Sequence, residues 1–181
     1  GTKNMDNSMT EETLPGYFRT LAGVELEEFD SICFGRKVSV KGVCGTAYAS
    51  VWADIIKPVT AEPIAYYASG FYSGKPAITV NAYGKGKVIY VGCDLDQKAM
   101  SIFLDKSARK SGIKPALDDT ADGIEVVKKR KDNEFFYFIL NHSNAEKTIK
   151  VPINCSSILT GKIIRGSCKL QPYGVEIIKE D

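Results

Sequence analysis

The sequence is poor in the residues that carry catalysis. It holds one histidine, His142, and one tryptophan, Trp52, in 181 residues. Its five cysteines (Cys33, Cys44, Cys93, Cys155 and Cys168) are odd in number, widely spaced and never arranged Cys-x-x-Cys. That pattern argues against a zinc site and a disulfide framework and favours a reducing, cytoplasmic setting. No apolar run reaches the roughly 18 residues of a membrane span, and residues 1–13 lack the basic-then-apolar order of a signal peptide. A formal net charge of +2 gives no strong attraction to nucleic acid or acidic membranes. No metal or cofactor is expected.

What the chain does have is organised around residues 70–94, GFYSGKPAITVNAYGKGKVIYVGCD. Two apolar runs, 77–80 and 88–91, flank Gly84-Lys85-Gly86, where glycine lets the backbone reverse sharply. Pro76 fits only a strand start. No Gly-x-x-x-x-Gly-Lys-Ser/Thr string follows, so a structural hairpin is preferred to a phosphate loop. Upstream, residues 1–13 are polar and aperiodic and read as the middle of a longer protein. A short helix is expected over 17–22, with Tyr17, Phe18 and Leu21 on one face and Gly23 ending it. Residues 24–29 alternate, with Val24, Leu26 and Phe29 inward and Glu25, Glu27, Glu28 and Asp30 as a wet acidic face. Pro58 stops the element carrying Trp52, which is read as core. Asp94 and Asp96 are expected to cap a helix over 97–111, with Met100, Phe103, Leu104 and Ala108 inward and a basic last turn.

Beyond a linker over 117–121 the texture changes to short strands separated by turn signals, the mark of a small antiparallel β-sandwich. FFYFIL (135–140) is apolar on both faces and should be a central strand. Lys128-Lys129-Arg130-Lys131 beside Asp132-Asn133 reads as a solvated hairpin tip rather than a polyanion site.

Taken together, LPGYFRTLAGVELEEFD (14–30), Trp52-Ala53-Asp54, YYASGFYSGKPAITVNAYGKGKVIYVGCDLD (66–96), DGIEVV (122–127), FYFILNHS (136–143), ILTGK (158–162) and LQPYGVEII (170–178) resemble, in order and spacing, the C-terminal part of a glycoside hydrolase family 42 β-galactosidase. The resemblance implies that residues 1–116 are the later part of a trimerisation domain, an α/β amidotransferase-like (flavodoxin-like) partial domain. Residues 122–181 would then be the terminal antiparallel β-sandwich. It also implies a parent that hydrolyses terminal β-D-galactosides with two glutamates in a retaining mechanism on a (β/α)₈ barrel. No string here matches that barrel or the early strands of the α/β domain, so no catalytic residue is carried over, and Glu28 and Glu125 are not promoted to the role.

Residues 1–116 contain no histidine to pair with Cys93, so the amidotransferase-like fold is expected to be structural. Self-association is expected, with Tyr17, Phe71 and Tyr72, loop aromatics beside glycines, as interface residues or as simple core. Two other readings stand beside it: a free-standing carbohydrate-binding module stacking sugar on Tyr72, Tyr83 or Tyr173, and a hydrolase using Cys93.

Overall fold

The computed structural model describes residues 3, 5–43, 45–118, 120–152 and 154–180. Cys44, and Asp119 of the expected linker, lie outside the described residues. The chain forms two compact units, Gly1–Ser111 and Gly112–Asp181.

The first unit opens with a 3₁₀ turn, Gly16–Phe18, and one turn of helix, α1 (Arg19–Ala22). Seven strands follow: β1 (Val24–Ser31), β2 (Val38–Gly42), β3 (Gly45–Pro58), β4 (Glu62–Tyr67), β5 (Pro76–Tyr83), β6 (Gly86–Val91) and β7 (Cys93–Leu95). Helix α2 (Gln97–Lys110) ends the unit. Each pairing in this sheet is antiparallel. The expected α/β amidotransferase-like (flavodoxin-like) domain is therefore not what residues 1–116 form. The reason lies in the connections. A parallel crossover needs a dozen or more residues, but β2–β3, β3–β4 and β5–β6 are joined by two or three. The apolar runs of the expected hairpin are buried by closure of the sheet.

That closure passes through Gly92. The order runs β1-β3-β2-β4-β5-β6, and β7 returns to pair with β3. The Gly92 N–H donates to Ala77 O on β5 (2.9 Å), while its carbonyl accepts from Asp54 N on β3 (2.6 Å). One residue thus bridges β5 and β3, with β1 paired to the other edge of β3. A Cβ there would stand 2.8 Å from Ile56 Cδ1 and 3.2 Å from Ala77 O, so only glycine fits without a shift. Inside the ring, Ala47, Ala49, Ala53, Ala65 and Ala77 are fully buried. Their small side chains leave room for one large one, Tyr67, whose hydroxyl lies 3.0 Å from both Asp54 O and Gly92 O.

α2 lays Ala99 and Phe103 onto this core. Asp96 is its N-cap, accepting from Ala99 N (3.0 Å) and also from Tyr48 N (2.9 Å). Asp94 does different work from the capping expected of it. Its carboxylate accepts the N–H groups of Ser50, Val51 and Trp52 where β3 shifts register against β7. Leu104, expected inward, is exposed.

The Gly23 carbonyl accepts from Val59, Thr60 and Ala61 N–H (2.9–3.1 Å), and Asn81 Nδ2 donates to Leu21 O (2.9 Å). These bonds hold the short helix against the β3–β4 turn.

The second unit is antiparallel, as expected. β8 (Ile124–Lys131), β9 (Glu134–Asn141), β11 (Cys155–Ser157), β12 (Ile163–Ile164) and β14 (Val175–Glu180) form one sheet in the order β12-β11-β14-β9-β8. β10 (Lys147–Lys150) and β13 (Ser167–Leu170) form a second. Tyr137, Ile139, Ile149, Cys168, Leu170 and Ile178, drawn from both sheets, share its core together with Leu117 from the expected linker. β9, the FFYFIL strand, is internal to the larger sheet.

Two predictions follow from the closure. Tyr67→Phe keeps the ring but removes the hydroxyl that faces the Asp54 and Gly92 carbonyls, of which Gly92 O keeps its bond from Asp54 N. It should lower the unfolding free energy of the first unit by about 1–2 kcal/mol, read in urea by the fluorescence of Trp52. For Asp94, burial pushes the carboxyl up, but the bonds from Trp52, Val51 and Ser50 outweigh it and hold it below its ordinary range. A carboxyl so held adds stability above its unfolded pKa and loses it as pH falls through the folded value. Asp94→Asn should therefore destabilise at pH 7, and its unfolding midpoint should converge on wild type in acid. A constant gap from pH 7 to pH 3 would contradict this.

Candidate assembly surface

Two exposed regions of the first unit carry more organised chemistry than their surroundings. The first is the β4–β5 loop, residues 68–75. Gly70 and Gly74, at φ 85° and 87°, turn the chain twice, and the Gly74 and Lys75 N–H groups donate back to Tyr67 O and Tyr72 O (2.8 and 3.0 Å). The loop sends neighbouring aromatics in opposite directions. Tyr72 goes inward, 3% exposed. Its ring meets Tyr67 edge-on at 4.8 Å, and its hydroxyl donates to Asp30 Oδ2 at 2.9 Å. Burial, then that carboxylate, pushes its phenol far above the ordinary range. Phe71 goes outward, 75% exposed, with its ring edge-on to Tyr72 at 4.6 Å. An unbroken column of three rings therefore runs from the core to solvent. Beside Phe71 is a cleft of about 370 Å³ with Ile32 and Val38, Asp30 and Ser69, and the cations Arg36 and Lys37 along its walls.

The second region is the flank of β1. A bulge between Leu26 and Glu28 breaks the alternation, and Phe29, expected inward, is half exposed. It stacks on Trp52 at 4.7 Å and 15°. Trp52 is thereby half-buried on the outside of the sheet rather than in its core. Its Nε1 donates to Asp54 Oδ1 (2.6 Å), and Tyr90 O–H donates to Asp54 Oδ2 (2.7 Å). Both oxygens of this buried carboxylate are thus engaged. Leu14, Leu26, Glu27, Glu28 and Phe29 line a recess of about 390 Å³. Leu26 N–H donates to Leu14 O (2.9 Å), which ties the segment leading to Tyr17 onto β1. The acids here have different fates. Glu25 pairs with Lys57 (3.1 Å) and Arg19, which pull its carboxyl down in that order. Glu27 pairs with Lys75 (2.8 Å). Glu28 is exposed and has no ion partner among the described residues.

Of the aromatics proposed from sequence, Tyr17 and Phe71 are on the surface, and Tyr72 lies beneath Phe71 as its support. Tyr83 ends the β5–β6 hairpin and Tyr173 sits in a turn of the second unit. Tyr72 is buried, whereas Tyr83 and Tyr173 are exposed. Cys93 is buried at the start of β7, and His142 lies in the other unit with Nε2 2.8 Å from Glu125 Oε2. Lys128 rests over the Phe135 and Tyr137 rings (4.2 and 4.8 Å), and Arg130 Nε donates to Asp132 O (2.9 Å), so two of the four charges in that basic run are engaged locally. Among the described residues no group of three or more His, Cys, Asp or Glu is placed to hold a metal ion, and no helix is long and apolar enough to cross a membrane. The Phe29–Trp52–Asp54 cluster was not foreseen. Its signal was Trp52 two residues before an acid on a strand, opposite an aromatic.

Known proteins bear on this surface. Residues 1–114 match the β-galactosidase trimerisation domain and residues 123–180 the β-galactosidase C-terminal domain. A β-galactosidase from Planococcus sp. (strain 'SOS Orange') is 33% identical over 185 residues, taking in 98% of this chain and 27% of the relative. One from Geobacillus sp. (strain Y412MC61) is 32% identical over 169 residues, 92% of this chain and 25% of the relative. The crystal structure of a β-galactosidase from Bacillus circulans sp. alkalophilus superimposes with a TM-score of 0.90 at 28% identity, covering 100% of this chain and 28% of that one. The chain thus spans about a quarter of the length of the relatives it matches. Spanning both matched regions in their order, it belongs to the β-galactosidase family as a trimerisation domain followed by a C-terminal domain.

Proposed function

We propose that this chain is the assembly region of a β-galactosidase and carries none of its catalytic groups. The parent would hydrolyse terminal β-D-galactosides in the cytoplasm, with two glutamates of a retaining mechanism on a barrel that no string here matches. The match of residues 1–114 to a trimerisation domain carries this reading. The exposed aromatics support it, since a large, fixed apolar side chain in water is what an interface buries. Tyr17 and Phe71 are the contact residues, with Tyr72 acting through Phe71.

Sedimentation equilibrium tests this. The purified chain should run at three times its own mass in the micromolar range, and should neither cleave a chromogenic β-galactoside nor bind lactose in a calorimetric titration. A monomer throughout, or turnover that Cys93→Ala abolishes, would overturn it.

A further inference from the structure

We infer that successive copies of this chain meet through two different patches of the first unit: the Phe71 loop with Arg36 on one copy, and the Leu26–Phe29 flank with Glu28 on the next. This rests on the assembly reading above and specifies its surface. A closed three-fold ring cannot use one self-complementary patch. It needs two unlike patches that fit each other. The first unit offers such a pair. One is a knob: Phe71 projects into solvent, yet its ring is braced on Tyr72 and through it on Tyr67. An aromatic already held in place loses little freedom on binding, which is the property of an interface anchor. The other is a recess of about 390 Å³ with Leu14, Leu26 and Phe29 as its apolar walls, backed by the Phe29–Trp52 stack.

The charges are opposite and uncommitted. Arg36 flanks the knob and Glu28 flanks the recess, and among the described residues neither has an ion partner. The other acids of the flank are different: Glu25 and Glu27 are already paired within the chain. Phe71 is also distinct from the other outlying aromatics. Phe34 is fully exposed with no ring partner among the described residues, and Tyr83 stands on a hairpin tip beside Lys85 and Lys87.

Charge reversal provides the test, with sedimentation equilibrium of the full chain as the readout and circular dichroism to confirm folding. Arg36→Glu and Glu28→Arg should each weaken assembly about tenfold or more. The double variant, which restores opposite charges across each contact, should return to within about threefold of wild type. Phe71→Ala should weaken assembly about thirtyfold, the size of an anchor, while Tyr83→Ala should leave it unchanged. A trimeric wild type whose charge-reversed singles stay tight, or whose double variant is no better than the singles, would overturn these patches and leave the assembly reading standing. A monomeric wild type would overturn both.

Discussion

The first unit depends on one hydroxyl. Tyr67 sits where β3 meets Gly92, and its O–H faces the carbonyls of Asp54 and Gly92 at equal distance. A buried carbonyl left without a donor costs about 1–3 kcal/mol. The tyrosine supplies a donor at the point where the chain crosses from β5 to β3, where Gly92 O also accepts from Asp54 N. The geometry demands small neighbours, and the wall supplies five buried alanines and a glycine. A bulkier lining would push the strands apart, and a smaller plug would leave a cavity. The small wall and the single large occupant are two halves of one packing solution.

That solution has a consequence at the surface. Because Tyr67 is pinned by its oxygen, its ring is a fixed wall for Tyr72. Asp30 pins the other end of Tyr72, and the pair forms a fixed base for Phe71. Rigidity generated by closing the sheet is thus delivered to an exposed aromatic some residues from the nearest strand. A flexible loop carrying the same phenylalanine would lose much more conformational freedom on contact. Asp94 works in the same direction from the other side, holding three successive N–H groups of β3 so that the register shift does not leave them unpaired.

What the sequence revealed, and what it hid, follows from the range of each interaction. Local signals read true: Pro58 and Pro76 bound strands, Gly84 turns the hairpin, and Asp96 caps α2 with Arg109 and Lys110 at its far end. Long-range arrangement did not. The hairpin over 77–91 is as expected, but the amidotransferase-like α/β fold that the resemblance implied is not formed, because every pairing of the sheet is antiparallel. The two- and three-residue connections were the overlooked clue. Phe29 lies three residues after Leu26, yet both pair with one face of β3, Leu26 opposite Ile56 and Phe29 opposite Asp54, because the bulge between Leu26 and Glu28 switches the face. That face is only partly covered there, so Phe29 stays half exposed. Tyr72 and Phe71 are neighbours whose burial differs by most of a side chain. Only the loop geometry set by Gly70 and Gly74 separates them.

The distribution of charge bears on which partners such a unit tolerates. A net charge of +2 over the whole chain produces little mutual repulsion, so approach is neither driven nor blocked by overall charge. Selectivity has to come from individual groups. Most of the acids on β1 are satisfied within the chain, which keeps an edge strand from presenting a bare, sticky row of groups. One left unpaired beside an apolar recess has the opposite effect. It makes the wrong neighbour costly, because burying it without a partner loses its hydration and gains nothing. The same holds for an unpaired arginine beside an apolar knob. An apolar contact alone would tolerate many partners. An apolar contact ringed by uncommitted charge tolerates few.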